Sequence, residues 1–291
     1  MTNAPFYLTR FHTLLKTKTF GRNLIFEPSV GSTMDLARDA ALHGAVEGTV
    51  ALADEQTAGR GRLGRTWITP PATNLASTLI LRPPASVLRD IAMVAPLAVC
   101  HAIQDVAGIH ADIKWPNDVQ IGGKKVAGIL IEVPHPPAPS PSRGEGERAG
   151  THSPARSPTR GERESMVLVG SGINVNFDPR EHEEIRDIAT SLKAELGRDV
   201  DREALLASYL AHFEQLYVDA KSGEEIRDRW RERLVTLGKE VRATWQGGMA
   251  EGVSEDVDAD GALLIRTADG ALTRVEAGDV TLRADGPCVG R

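Results

Sequence analysis

The chain has 291 residues, 41% of them hydrophobic, enough to bury a substantial core in one large domain or a large domain with a small companion. Its net charge of −6 and pI near 5.8 give no general attraction to nucleic acid or anionic lipid, so phosphate binding must come from local groups of Arg and Lys. Two cysteines, Cys100 and Cys288, exclude a disulfide framework, no apolar run reaches signal-peptide or membrane-spanning length, and the scattered histidines offer no ligand pairing, which together predict a cytoplasmic protein without a built-in metal site.

In chain order, an irregular start is expected ahead of "GSTMDLARDAALHGA", where Ser32-x-x-Asp35 has capping-box form and opens a helix that stops at Gly44. "TVALADEQ" (Thr49 to Gln56) reads as a buried strand, and "NLASTLILR" as another. "LRDIAMVAPLAVCHAIQDVAG" is a long apolar helix with a bend expected at Pro96. "ADIKW", "DVQI", a Gly122-Gly123 turn and "KVAGILIEV" predict a tight hairpin with one thoroughly apolar strand, and "MVLVGSGINVN" is a further buried strand.

Between those last two strands lie 32 residues, Pro134 to Ser165, without one Leu, Ile, Val, Met, Phe, Tyr or Trp. Such a segment cannot offset its ordering entropy by burial and is expected to be disordered, a tolerable insertion between adjacent strands. Asp201 to about Leu234 should form two amphipathic helices. Beyond them, short alternating strands between Gly and Asp-Gly turns suggest a small barrel, so a domain boundary is placed near Leu234. The fold class expected is α+β: a mixed sheet with helices over residues 1–234, then an all-β unit over 235–291.

"GRGRLGRTW", Gly59 to Trp67, carries the G-x-G-x-x-G spacing of dinucleotide-binding turns. That fingerprint needs its last glycine to open a helix, whereas here Pro70-Pro71 follow and prescribe an extended loop. The glycines therefore serve a loop bearing Arg60, Arg62 and Arg65, whose planar, permanently charged guanidiniums form an anion trap, with Trp67 beside them as a stacking face.

In the order "EQTAGRGRLGRTW", "KWPNDV" (Lys114 to Val119), "GKKVAGILIE" (Gly123 to Glu132) and "GSGINVN" (Gly170 to Asn176), the chain resembles a biotin–protein ligase, of the short form without an N-terminal DNA-binding domain. The resemblance implies a class II aminoacyl-tRNA synthetase-like catalytic domain with an SH3-like C-terminal barrel. It implies two steps: biotin and MgATP give biotinyl-5′-AMP, and the acyl group then passes to one lysine of a carboxylase's biotin carrier domain. It places biotin against Ser32, Thr33, Gln56, Gly59, Arg60, Gly61, Arg62, Lys125, Gly128 and Gly172, and ATP against Arg62, Arg65, Trp67, Asn117, Lys125 and Asn174. Lys125 and Arg62 are the expected catalytic residues, since carboxylate attack on the α-phosphate brings anion to anion and must be met by positive charge. Taken alone, Ser32 is a helix cap and Asn117 and Asn174 are turn residues, while Asp118 either binds the metal or fixes the "WPND" turn, the turn being favoured. Lys114 is either structural or an aid to transfer. No DNA or membrane partner is expected, and a homodimer is compatible with the resemblance. The alternatives are a lipoate or octanoate ligase or transferase of related fold, and a non-catalytic biotin or nucleotide sensor.

Overall fold

A computed structural model describes residues 4–134 and 166–282. The Pro-rich stretch beyond Pro134 and the tail with Cys288 lie outside the described residues.

The first sheet contains β1 (Leu24–Val30), β2 (Val50–Gln56), β3 (Leu75–Leu81), β4 (Asp112–Lys114), β5 (Asp118–Ile121), β6 (Lys124–Glu132) and β7 (Val167–Ile173). Their order is β1-β2-β3-β7-β6-β5-β4, with β1 parallel to β2 and every other pair antiparallel, so the sheet is mixed as the patterning suggested. The hairpin over Gly122-Gly123 forms between β5 and β6, and β6 pairs directly with β7, so the Pro-rich stretch joins neighbours.

Strand periodicity divides the sheet into two faces. Val50, Leu52, Leu79, Leu81, Val167, Val169 and Ile173 belong to the large core, which also takes in α3 (Ile91–Ala107) and α5 (Arg202–Lys221). The intervening Ala51, Ile80 and Leu168 belong to a smaller cluster under α2 (Thr33–Leu42). Two long helices therefore cover one face and one short helix covers part of the other. Gly128, Gly170 and Gly172 share the parity of the α2 face; Met34 of α2 packs on Gly170, and beyond the helix Gly128 and Gly172 let Trp67 approach the backbone.

The capped helix forms: Ser32 Oγ accepts from the Met34 N–H at 3.3 Å, with the chain stopping near Gly44, whose φ is +92°. Asp35 does not complete a capping box; it pairs with arginines instead. The start is not irregular, because α1 (Leu8–Leu14) and β1 occupy it. β1 is an edge strand with mostly exposed or half-buried residues and a proline, Pro28, which the sheet tolerates because an edge has one unpaired side. α3 continues through Pro96 and ends at Gly108 in the left-handed conformation, φ +70°.

After the short helices α4 (Leu192–Leu196) and α6 (Arg227–Arg231), a second, antiparallel sheet follows. It comprises β8 (Glu240–Trp245), β9 (Gly248–Val257), β10 (Leu263–Thr267), β11 (Leu272–Val275) and β12 (Asp279–Leu282), in the order β11-β10-β9-β8-β12. It is fastened to the first sheet by Trp115, whose indole N–H donates to Gly261 O at 2.9 Å and whose backbone N–H donates to Thr236 Oγ1 at 2.9 Å. Val241, Leu263 and Ile265 join the same buried cluster as Trp115, so the two sheets share one apolar contact.

Candidate active site

A cavity of about 470 Å³ lies over β6 and β7, beside the glycines on which Trp67 rests. Its walls come from the N-terminus of α2, the Arg-rich loop between β2 and β3, the start of β5 and β6, the loop after β7, and β12 of the second sheet. Ser32, Thr33, Gln56, Arg60, Gly61, Arg62, Arg65, Trp67, Asn117, Lys125, Gly128, Gly172 and Asn174 all line it. Gly59 does not; it closes the base of the loop, where its carbonyl accepts from Trp67 N–H at 2.9 Å. A Cβ on Gly59 would stand 2.4 Å from Trp67 O, so only glycine fits there.

No helix follows Gly64, in agreement with the reading against a dinucleotide turn. The loop folds back on itself through an Arg60–Thr66 bridge, with Leu63 held at φ 56°, a left-handed position that a leucine seldom takes. Its three guanidiniums do not converge on one point. Arg60 pairs with Asp35 at 2.7 Å, Arg62 donates to Asn117 Oδ1 at 2.8 Å, and Arg65 pairs with Asp279 of β12. Burial would raise the Asp35 pKa, but hydrogen bonds from Arg60 and Arg38 outweigh it and hold the carboxyl below its usual range. Arg62 is the most enclosed of the three, and burial lowers its pKa from the ordinary arginine value.

Trp67 lies on the glycine floor. A Cβ on Gly172 would come within 2.5 Å of its indole ring, and one on Gly128 within 3.2 Å of that ring and 3.0 Å of Lys125 Nζ. The two glycines are cross-strand partners, so their missing side chains leave one flat recess. Among the described residues Trp67 Nε1 is buried there without a hydrogen-bond partner. Lys125 Nζ sits 5.4 Å from the ring centroid and 2.6 Å from Asp118 Oδ1. Asp118 therefore does more than fix a turn: it opens β5 and holds the lysine beside the recess.

Asn117 and Asn174 are both engaged with the protein. Asn117 Nδ2 donates to Ile129 O at 2.5 Å, and Asn174 Nδ2 donates to Thr190 O at 3.0 Å while its Oδ1 accepts from Asn74. Lys114, at the end of β4, also lines the cavity. Sequence reading missed Asp279 and the Ile185–Ala189 wall. Asp279 is 214 residues from the Arg65 it meets, and no local pattern marks such a pairing. The Ile185–Ala189 segment is irregular but is tied to β6 by Lys125 N–H donating to Ile188 O at 2.9 Å.

The chain is similar to known proteins over most of its length. The Biotin/lipoate A/B protein ligase family matches residues 27–135, and the Biotin protein ligase C terminal domain matches residues 236–283. The bifunctional ligase/repressor BirA of Bacillus subtilis is 34% identical, across 92% of this chain and 76% of its own length. A biotin–[acetyl-CoA-carboxylase] ligase of Mycobacterium tuberculosis is 30% identical across 89% of this chain and 88% of its own. The biotin protein ligase of Aquifex aeolicus, solved in complex with biotin and ATP, superposes with a TM-score of 0.71 at 29% identity, covering 91% of this chain and all of that one.

Proposed function

The chain belongs to the biotin protein ligase family, and from that premise we propose how its cavity activates biotin with ATP and passes it to a lysine of a biotin carrier domain, such as that of acetyl-CoA carboxylase. The observation that carries the reading is the meeting of the Arg-rich loop, Lys125 and the Ser32–Thr33/Gln56 corner around one recess floored by glycine.

In the first step a carboxylate oxygen of biotin bonds to the α-phosphorus of ATP as the bond to the β-phosphate bridge breaks and pyrophosphate leaves. Charge accumulates on the α-phosphoryl oxygens, and donors already fixed in place stabilise it most. Lys125 is our candidate for the closest such donor. Its ammonium is held by Asp118 at the edge of the recess, so little rotamer freedom is lost when an anion arrives. Arg62, enclosed and braced by Asn117, would serve the same charge, with Arg60 and Arg65 at the rim. Trp67 offers the adenine a flat face, and the Ser32, Thr33 and Gln56 corner would take the ureido head of biotin. Magnesium enters as part of the nucleotide substrate. In the second step the carrier amine attacks the acyl carbon, AMP leaves, and the amine proton is lost.

We divide the chain into a catalytic unit over 1–234 and a C-terminal unit over 235–291, and read them as a class II synthetase-like domain and an SH3-like barrel. The C-terminal unit has a part in the site through Asp279. A lipoate or octanoate enzyme of related fold is disfavoured by the biotin ligases among the relatives, and a non-catalytic sensor by the intact cluster of Lys125 and arginines. Incubation with MgATP, a biotin carrier domain, and either biotin or lipoate tests the reading. The carrier should gain the mass of biotinyl and not of lipoyl; lipoylation, or no modification at all, would overturn it.

A further inference from the structure

One buried polar side chain behind the recess, Thr78, has no part in the chemistry above. Thr78, on β3, is fully buried, and its hydroxyl donates to Thr33 Oγ1 at 2.9 Å. Thr33 in turn gives both its backbone N–H and its hydroxyl to Gln56 Oε1, at 2.9 and 3.1 Å. Gln56 Nε2 then reaches Thr69 Oγ1, at the far end of the Arg-rich loop, at 3.4 Å. Three elements around the proposed head pocket, the sheet, the α2 N-terminus and the loop, are thus joined through one carboxamide. Gly59 leaves room for that group, since a Cβ there would lie 3.0 Å from Gln56 Nε2.

The donor count makes this chain directional. Two donors fill both lone pairs of Gln56 Oε1, so its oxygen is spent on the protein and its NH2 group keeps a hydrogen for the cavity. The Thr33 hydroxyl uses its hydrogen on Gln56 and one lone pair on Thr78, leaving one lone pair. Thr33 and Gln56 therefore show a ligand one N–H donor and one hydroxyl acceptor, beside the Ser32 hydroxyl, which accepts from Met34 N–H. A ureido group, with a carbonyl acceptor flanked by N–H donors, is complementary to that pair; a dithiolane ring or a plain alkyl chain is not.

We propose that Thr78 is a positioning residue for recognition of the ureido head: it touches no ligand, but its hydroxyl fixes Thr33, and through Thr33 the polarity of Gln56. The proposal rests on the biotin-ligase reading above. The test compares wild type, Thr78→Val, Thr78→Ser and Thr78→Ala in steady-state biotinylation of a carrier domain, with thermal stability recorded for each. Ser and Ala differ only in the hydroxyl, so that pair isolates it should the valine variant not fold.

The variants without a hydroxyl should raise the KM for biotin about 3- to 10-fold, the usual consequence of losing one neutral hydrogen bond, while kcat and the KM for ATP stay within about twofold. Thr78→Ser should keep the wild-type biotin KM. Desthiobiotin, which retains the ureido group but lacks the sulfur, should suffer the same fold-change as biotin. An unchanged biotin KM in folded Thr78→Ala, or an equal loss in Ser and Ala, overturns the proposal alone. A wild-type protein that biotinylates nothing overturns the functional reading and the proposal with it.

Discussion

Lys125 shows how a side chain of ordinary chemistry becomes specific through its surroundings. A lysine just past a Gly-Gly turn would normally extend into solvent with full rotamer freedom. Here its backbone is clamped on both sides, its N–H donating to Ile188 O and its carbonyl accepting from Thr190 N–H, each at 2.9 Å. Its ammonium is held between Asp118 and the face of Trp67. The ion pair is about a third exposed, so its own contribution to stability is small and its effect is mainly placement. Lys125→Ala should reduce biotin-dependent pyrophosphate release about 100-fold or more, the scale seen when a transition-state donor is removed, with thermal stability nearly unchanged. Pyrophosphate release near the wild-type rate would remove Lys125 from this role.

The elements differ in how plainly they could be read. Ser32 announced α2 because a cap followed by apolar spacing is a local signal, and the apolar runs of β2, β3 and β7 announced buried strands for the same reason. β1 gave no such signal, since its burial is set by a parallel partner, β2, rather than by alternation in its own sequence. α1 exposes most of its short length and buries mainly Phe11, too little for a periodic pattern. The site divides in the same way. The Arg-rich loop, Lys125 and Gln56 stand in continuous motifs, whereas Asp279 and the Ile185–Ala189 wall reach the cavity only through tertiary contact.

The interface between α3 and α5 carries a prediction of its own. His101 and His212 face each other with ring centroids 5.1 Å apart, and His212 Nε2 lies 2.7 Å from Asp105 Oδ2. Burial, then the neighbouring His212, Arg233 and Arg229, push the His101 pKa down to about 4, against the attraction of Asp105. The unfolded chain takes up this proton near pH 6.5, and the folded protein only near pH 4. This histidine's contribution is therefore fully present above about pH 6.5 and is lost as pH falls toward 4. The melting temperature of wild type should fall more steeply over that window than that of His101→Gln. Parallel curves would show that His101 does not titrate as described.

At the scale of the whole molecule, one face of the mixed sheet supplies stability and the other supplies chemistry. α3 and α5 cover the first face with the large core. α2 covers only part of the second; beyond it glycines let Trp67 of the Arg-rich loop rest against the sheet, and the recess forms around that indole. The second sheet closes the far side of the recess by packing against Trp115 and by bringing Asp279 to Arg65. β6 and β7 pair from Ala127–Ile173 to Glu132–Leu168, so the strands on either side of the Pro-rich stretch already lie side by side. Replacing residues 135–165 with a short Gly/Ser turn should leave biotinylation activity and the melting temperature close to wild type. A large loss of either would assign that stretch a function.

The central claim is that the mixed anhydride of biotin and AMP lies in the recess beside Trp67 and the glycines of β6 and β7, with Lys125 at its charged centre. A crystal structure with a non-hydrolysable biotinyl-AMP analogue tests it most directly. The account expects the ureido head at the Thr33–Gln56 corner, the adenine against Trp67, and Lys125 Nζ in hydrogen-bond contact with the phosphoryl or acyl oxygens. An analogue bound away from Gly128 and Gly172, or one that leaves Lys125 untouched, would contradict it.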